Sequence, residues 1–317
     1  METSQKSKGI IWYLVIVLTI SFLLAGTYYL VFPAKDQISY TIMAVVYMFM
    51  PFVSAFIVDK WILRNNIFKG WALNFRPNWW FLAAWPAVIV VSFMALGVNL
   101  LWPGITFSAE MVGFWERLAQ QMTPEQIEMQ KLKLDAFPVP FLIIIVLQAL
   151  IAGISINALA AFGEETGWRG FMVREYKHLK FWDAALRIGV VWGIWHAPLI
   201  LMGHNYPQHN LIGVGMMTVF CILMSPLFLF VRLKTHSTIA ASIMHGTVNA
   251  SAQISILYLV GGNDLTIGMT GFSGFITLLI VIVVMIIYDL KFSKNPITNK
   301  TILEGIKQEK LKEFVSG

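Results

Sequence analysis

The chain has 317 residues, 57% of them hydrophobic and only 13% charged, with a formal net charge of +6 and a mean hydropathy of +0.69. A water-soluble domain of this length needs far more charge to cover its surface, so the composition points to a polytopic membrane protein whose outer solvent is lipid. One cysteine, Cys221, rules out an intrachain disulfide, and the lack of a Lys/Arg cluster interleaved with exposed aromatics argues against nucleic acid as a partner.

At roughly 20 apolar residues per crossing, the expected fold is all-α with about eight transmembrane helices, at residues 10–32, 39–58, 79–101, 138–162, 183–203, 211–231, 238–260 and 271–290. The first run is longer than a signal-peptide core of roughly 7 to 15 residues and reads as a retained span. Met43, Met48 and Met50 in the second span read as lipid-facing or core filler, and Trp79, Trp80 and Trp85 at the third as an interfacial aromatic belt. The long connection 103–137 contains Thr123-Pro124-Glu125-Gln126, a capping-box pattern that starts a surface helix.

Basic residues alternate along the connections. Lys60, Arg64, Lys69 and Arg76 follow the second span, Arg169, Arg174, Lys177 and Lys180 the fourth, and Arg232 and Lys234 the sixth. The positive-inside rule then places these connections and both termini in the cytoplasm. His204 and His209 fall in a connection on the other side and read as a solvated loop, and the basic tail 291–317 is expected on the anionic inner leaflet. The chain reads as one membrane domain, 1–317, with N-terminal spans and outside loop helix in 1–137, a core rich in intramembrane polar residues in 138–260, and a last span and basic cytoplasmic tail in 261–317.

Within that core, residues 162–170 read FGEETGWRG. Ionisable side chains cost roughly 2.5 to 3.5 kcal/mol each at the centre of a membrane helix, so a cluster of three needs a reason. Glu165 and Arg169 stand four apart, on one helix face, and can neutralise each other. Glu164 is turned about 100° away from that face and is the better candidate for chemistry. The fifth span carries Trp192 and His196 four apart, and the seventh carries His245 and Asn249 four apart. Each motif alone could be packing or interhelical glue; together they describe one site in an intramembrane cavity.

Such a set supports two kinds of hydrolytic chemistry. A carboxylate with an imidazole activates water while a second histidine and an amide stabilise an oxyanion. Alternatively Glu164, His196 and His245 form the Glu-plus-two-His set of a catalytic zinc site, and these residues do not choose between a metal-free site and zinc. Reaching the depth of His196 requires a tilted or broken fourth span, for which Gly163, Gly167 and Gly170 provide the irregularity. A proton-coupled transporter is the competing reading, but it calls for polar residues at several depths and for paired repeats rather than one compact cluster.

The sequence Glu164-Glu165-x-x-x-Arg169, then Trp192-x-x-x-His196, then His245-x-x-x-Asn249 resembles the CPBP intramembrane proteases, the family of the CAAX prenyl endopeptidases and of the bacterial Abi-type bacteriocin-processing and immunity proteins. The resemblance covers about 138–260. It implies an intramembrane endopeptidase in which Glu164 and His196 activate water, His245 and Asn249 stabilise the oxyanion, and Glu165, Arg169 and Trp192 support the site. Its implied partners are membrane lipid and a peptide or protein substrate, prenylated or not. The family has been called metalloprotease, whereas a metal-independent glutamate mechanism is implied for its CAAX members. One departure is the Trp at 192, where the pattern usually has Phe. A non-catalytic immunity or scaffold protein of the same fold is the remaining alternative.

Overall fold

In lipid, an apolar run has no water to satisfy its peptide groups, and the helix satisfies them within the segment. The computed structural model describes residues 2–32, 36–75, 77–119, 122–136 and 138–307, with the backbone only for 2–7 and 135. Arg76, Phe137 and the tail beyond 307 lie outside the described residues. The order begins with α1 (Glu2–Val31), followed by α2 (Gln37–Met48) and α3 (Met50–Ile57), which run on as one span through a π-helical turn, Val58–Ile62. Next come α4 (Trp79–Asn99), the two short helices α5 (Val112–Leu118) and α6 (Pro124–Asp135), α7 (Phe141–Ile154) and α8 (Ile156–Glu165). α8 continues through π-helical Thr166–Met172 into α9 (Val173–Glu175). The rest is α10 (Phe181–Trp195), α11 (Ala197–Leu201), α12 (Asn210–Thr235), α13 (Thr238–Ser251) and α14 (Phe272–Lys291).

Among the described residues, six helical runs are long and apolar enough to cross a membrane, and the pair bent by 47° at the start of α8 makes a seventh. This is the helical architecture of an integral membrane protein. The seventh expected span, 238–260, is shorter than anticipated: α13 has 14 residues, about 21 Å of helix against a hydrocarbon core of about 30 Å. Its polar end explains the stop. Ser255 Oγ turns back to the Ala252 carbonyl at 2.6 Å, a local bond that competes with helix. Beyond it, β2 (Leu259–Val260) pairs antiparallel with β1 (Thr106–Phe107), and Arg117 of α5 caps the Ile256 carbonyl at 2.6 Å and the Leu259 carbonyl at 3.2 Å. The expected capping box at Thr123 is present and opens α6.

The fourth span breaks at Ser155, whose φ of −118° and ψ of −106° leave the helical region. Gly163 and Gly167 lie past this break and serve another purpose, the close approach of α2 and α3: Gly163 lies against Met48 and Phe49, and Gly167 against Tyr13 and Pro51. Because helical structure persists to Glu175, Arg169 is not in a connection. It is fully buried, as are Arg232 and Lys234 near the end of α12. Arg232 Nε donates to the Arg169 carbonyl and to Thr238 Oγ1, both at 3.1 Å. Lys234 Nζ meets Asp289 Oδ1 at 3.0 Å and the Asn295 carbonyl at 2.6 Å.

The described part of the tail docks on protein rather than lying free along a leaflet. Asp289 Oδ2 accepts the backbone N–H groups of Ile297 and Thr298, both at 2.8 Å, and Ile297 and Ile302 are buried. Ile302 N–H donates to the Leu179 carbonyl at 3.0 Å and Leu303 N–H to that of Lys177 at 2.8 Å. The loop expected to be solvated at 204–209 is likewise pinned: His204 Nδ1 lies 3.0 Å from Tyr40 Oη, and His209 Nδ1 lies 2.5 Å from Asp264 Oδ1. Met43 is core filler.

α10 and α12 cross closely because glycines on α10 leave room for the backbone of α12. A Cβ on Gly189 would sit 2.7 Å from Ile222 Cα, whereas one on Gly97 of α4 would meet nothing within 4 Å. Gly189→Leu is therefore expected to destabilise the protein by about 1–3 kcal/mol or more, seen as a lowered thermal midpoint in detergent, while Gly97→Leu leaves that midpoint unlowered. Equal midpoints for the two variants would contradict the close crossing.

Candidate functional site

α8 delivers two adjacent carboxylates into the bundle, and both are buried. Burying a carboxylate requires partners, and the two residues find different ones. Glu165 Oε1 accepts from Arg169 Nη1 at 3.0 Å, within the same helical run, and from His245 Nδ1 of α13 at 2.8 Å. Arg169 Nη2 donates to Ser225 Oγ of α12 at 3.2 Å. The guanidinium carbon lies 4.7 Å from the Trp192 ring centroid and 4.6 Å from that of Phe228, so two aromatic faces complete its surroundings. The expected Glu165–Arg169 pair is thus present and extended by a histidine.

Glu164 has no such ion pair among the described residues. Its Oε2 accepts from the indole Nε1 of Trp192 at 2.8 Å. Trp192 thereby links the two residues expected to share a water, meeting Glu164 through its indole N–H and His196 through its main-chain carbonyl. His196 occupies the junction of α10 and α11, where Pro198 at the start of α11 offers no N–H to continue the α10 ladder. Its Nδ1 lies 2.8 Å from the Trp192 carbonyl. A carbonyl only accepts, so the proton is on Nδ1, and in the neutral ring Nε2 carries the lone pair. Cys221 Sγ lies 3.8 Å from the same nitrogen.

Trp192 is at the centre of the set: its ring centroid is 5.7 Å from that of His196 and 5.4 Å from that of His245. The structure therefore brings together Glu164, Glu165, Arg169, Trp192, His196 and His245. Asn249 is apart from them, one turn beyond His245, with an exposed side chain. Ser225 and Phe228 belong to the site and were not singled out from the sequence; they lie in an apolar run around Pro226 in which nothing local separates a site-facing residue from a lipid-facing one.

The alternative zinc set fits less well. Among the described residues no three His, Cys, Asp or Glu side chains are grouped as metal ligands. The Nδ1 bonds of both histidines do not bear on this, because a metal would take Nε2.

Residues 138–251 match the family model described as Type II CAAX prenyl endopeptidase Rce1-like. The chain is also 30% identical over 139 residues to CAAX prenyl protease 2 of Methanococcus maripaludis, an alignment that covers 42% of this chain and 48% of that relative. The chain thus spans about half the length of the curated relative it matches. The matched segment holds every residue of the set just described, together with Asn249. The resemblance read from the three motifs is borne out over 138–251.

Removing one partner of a buried ion pair leaves the other charge uncompensated, at a cost of about 3–5 kcal/mol. Arg169→Ala is expected to lose stability on that scale in detergent. Arg169→Lys recovers only part of it, because an ammonium cannot bridge Glu165 and Ser225 while stacking on two rings. Wild-type stability in Arg169→Ala would remove the ion pair from the account.

Proposed function

We propose that this protein is an intramembrane endopeptidase in which Glu164 activates the attacking water. The observation that carries this reading is the division of labour between adjacent carboxylates: Arg169 and His245 engage Glu165, while among the described residues Glu164 is held by a neutral donor, the Trp192 indole. A carboxylate in that state can both accept and return a proton.

In the proposed reaction a water molecule lies between Glu164 and His196 Nε2. Glu164 takes one proton from it, His196 accepts a hydrogen bond from the other hydrogen, and the oxygen adds to the scissile carbonyl carbon. Negative charge then develops on the former carbonyl oxygen. His245 answers it through Nε2–H: its Nδ1–H is committed to Glu165, so as an imidazolium it presents a second donor on the opposite side of the ring. The amide of Asn249, one helical turn away, supplies a further donor when a bound peptide draws it inward. Collapse of the tetrahedral intermediate breaks the C–N bond, and Glu164 returns its proton to the departing nitrogen.

The relative's name makes a peptide ending in a prenylated CAAX sequence the first substrate to test. In this reading the peptide enters from the side bearing Lys60, Arg64, Lys69, Lys177 and Lys180, which the positive-inside rule assigns to the cytoplasm. For the purified protein in detergent, cleavage of such peptides is expected, with Glu164→Ala and His196→Ala each lowering kcat on the order of 10²- to 10⁴-fold. His245→Ala is expected to cost roughly 10²- to 10³-fold, as loss of an oxyanion donor does. A chelator is expected to leave turnover unchanged. If all three variants cleave at the wild-type rate, or if neither prenylated nor unprenylated peptides are cleaved at all, the endopeptidase reading fails.

A further inference from the structure

Building on the endopeptidase reading, we infer that Trp192 is a positioning residue that sets both members of the water-activating pair, Glu164 through its indole N–H and His196 through its main-chain carbonyl. Both bonds measure 2.8 Å, and each has a distinct physical origin. The carbonyl is available because α10 ends here. The His196 N–H tightens onto the Gly193 carbonyl at 3.1 Å instead of reaching back four residues. Trp192 O is therefore one of the orphan acceptors of a helix C-terminus, and the His196 side chain fills it. That bond fixes the ring's tautomer and leaves its Nε2 as the acceptor.

The indole acts on Glu164 in a complementary way. It is a donor only, so it can hold Oε2 without competing for a proton. The ring is itself immobilised. The Arg169 guanidinium lies against one face region at 4.7 Å, and Phe228 meets it edge-on with centroids 5.6 Å apart. The next residue, Gly193, packs directly against Thr218 of α12. A Phe at 192 preserves the ring packing and the carbonyl but offers Glu164 no donor.

The test uses full-length protein in detergent and a peptide that the wild type cleaves. It compares Trp192→Phe with a variant carrying the benzothienyl analogue of tryptophan at 192, which keeps the shape of the ring and replaces N–H by sulfur; Glu164→Ala serves as the reference. Loss of one hydrogen bond to a charged group is expected to lower kcat about 10- to 100-fold in both substituted proteins, with KM and the thermal midpoint unchanged for the analogue. A wild-type kcat in the benzothienyl protein, while Glu164→Ala is inactive, overturns the positioning role and leaves the endopeptidase reading standing. A fall in KM-related binding or in stability alone, with kcat retained, also overturns it by making Trp192 a packing residue. Full activity in Glu164→Ala overturns the endopeptidase reading itself.

Discussion

A guanidinium with no solvent exposure, Arg169, must be neutralised inside a bundle of mostly apolar helices, and the arrangement around the site follows from that requirement. The idealised penalty for burying an ion is large, several kcal/mol even after relaxation, and it is offset by good geometry and further hydrogen bonds, here in part, since Arg169 Nε and Glu165 Oε2 are buried without a hydrogen-bond partner among the described residues. Glu165 supplies the countercharge one turn earlier on the same run, α12 supplies Ser225 and the Phe228 face, α10 supplies the Trp192 face, and α13 brings His245 to the same carboxylate oxygen. Four elements are thus fixed relative to one another by a single buried charge. Glu164 is the neighbour that this network does not absorb.

The irregularities of the fourth span serve the same end. The break at Ser155 redirects α8 so that Gly246 of α13 can lie against Asn157 and Ala158, which sets His245 beside Glu165. The π-helical stretch that follows keeps Glu165 and Arg169 in contact while carrying the chain on to Arg174, whose guanidinium pairs with Asp59 at 2.6 Å. From there the docked tail, through Leu179 and Lys177, ties the end of this run to α14.

Much of the site was legible because short-range periodicity is a property of one helix. The i, i+4 spacing identified the Glu165–Arg169 pair, and the same rule separated Glu164 from it. What stayed hidden depends on rotation between helices. Nothing in the spacing of Trp192 and His196 shows that the first points its indole at Glu164 while its carbonyl captures the second, since that capture needs α10 to stop at Trp195. Arg169, Arg232 and Lys234 looked like loop charges because apolar runs end before helices do; a buried cation with a partner is indistinguishable in sequence from a solvated one. The docking of the described part of the tail stayed hidden for a related reason: which partner buries Ile297 and Ile302 is set by tertiary packing. The short α13 reflects the Ser255 side chain, which bonds the Ala252 carbonyl, a local effect that hydropathy averages away.

In the proposed reaction Glu164 delivers water, and does not itself attack, when the peptide bond is broken. A single turnover with enzyme in excess of peptide, run in heavy-oxygen water, addresses it directly. The account predicts one heavy oxygen in the new carboxylate of the first product formed, and none in Glu164. An unlabelled product carboxylate in that first turnover, with the label appearing in Glu164, would show a covalent acyl-glutamate and contradict the account.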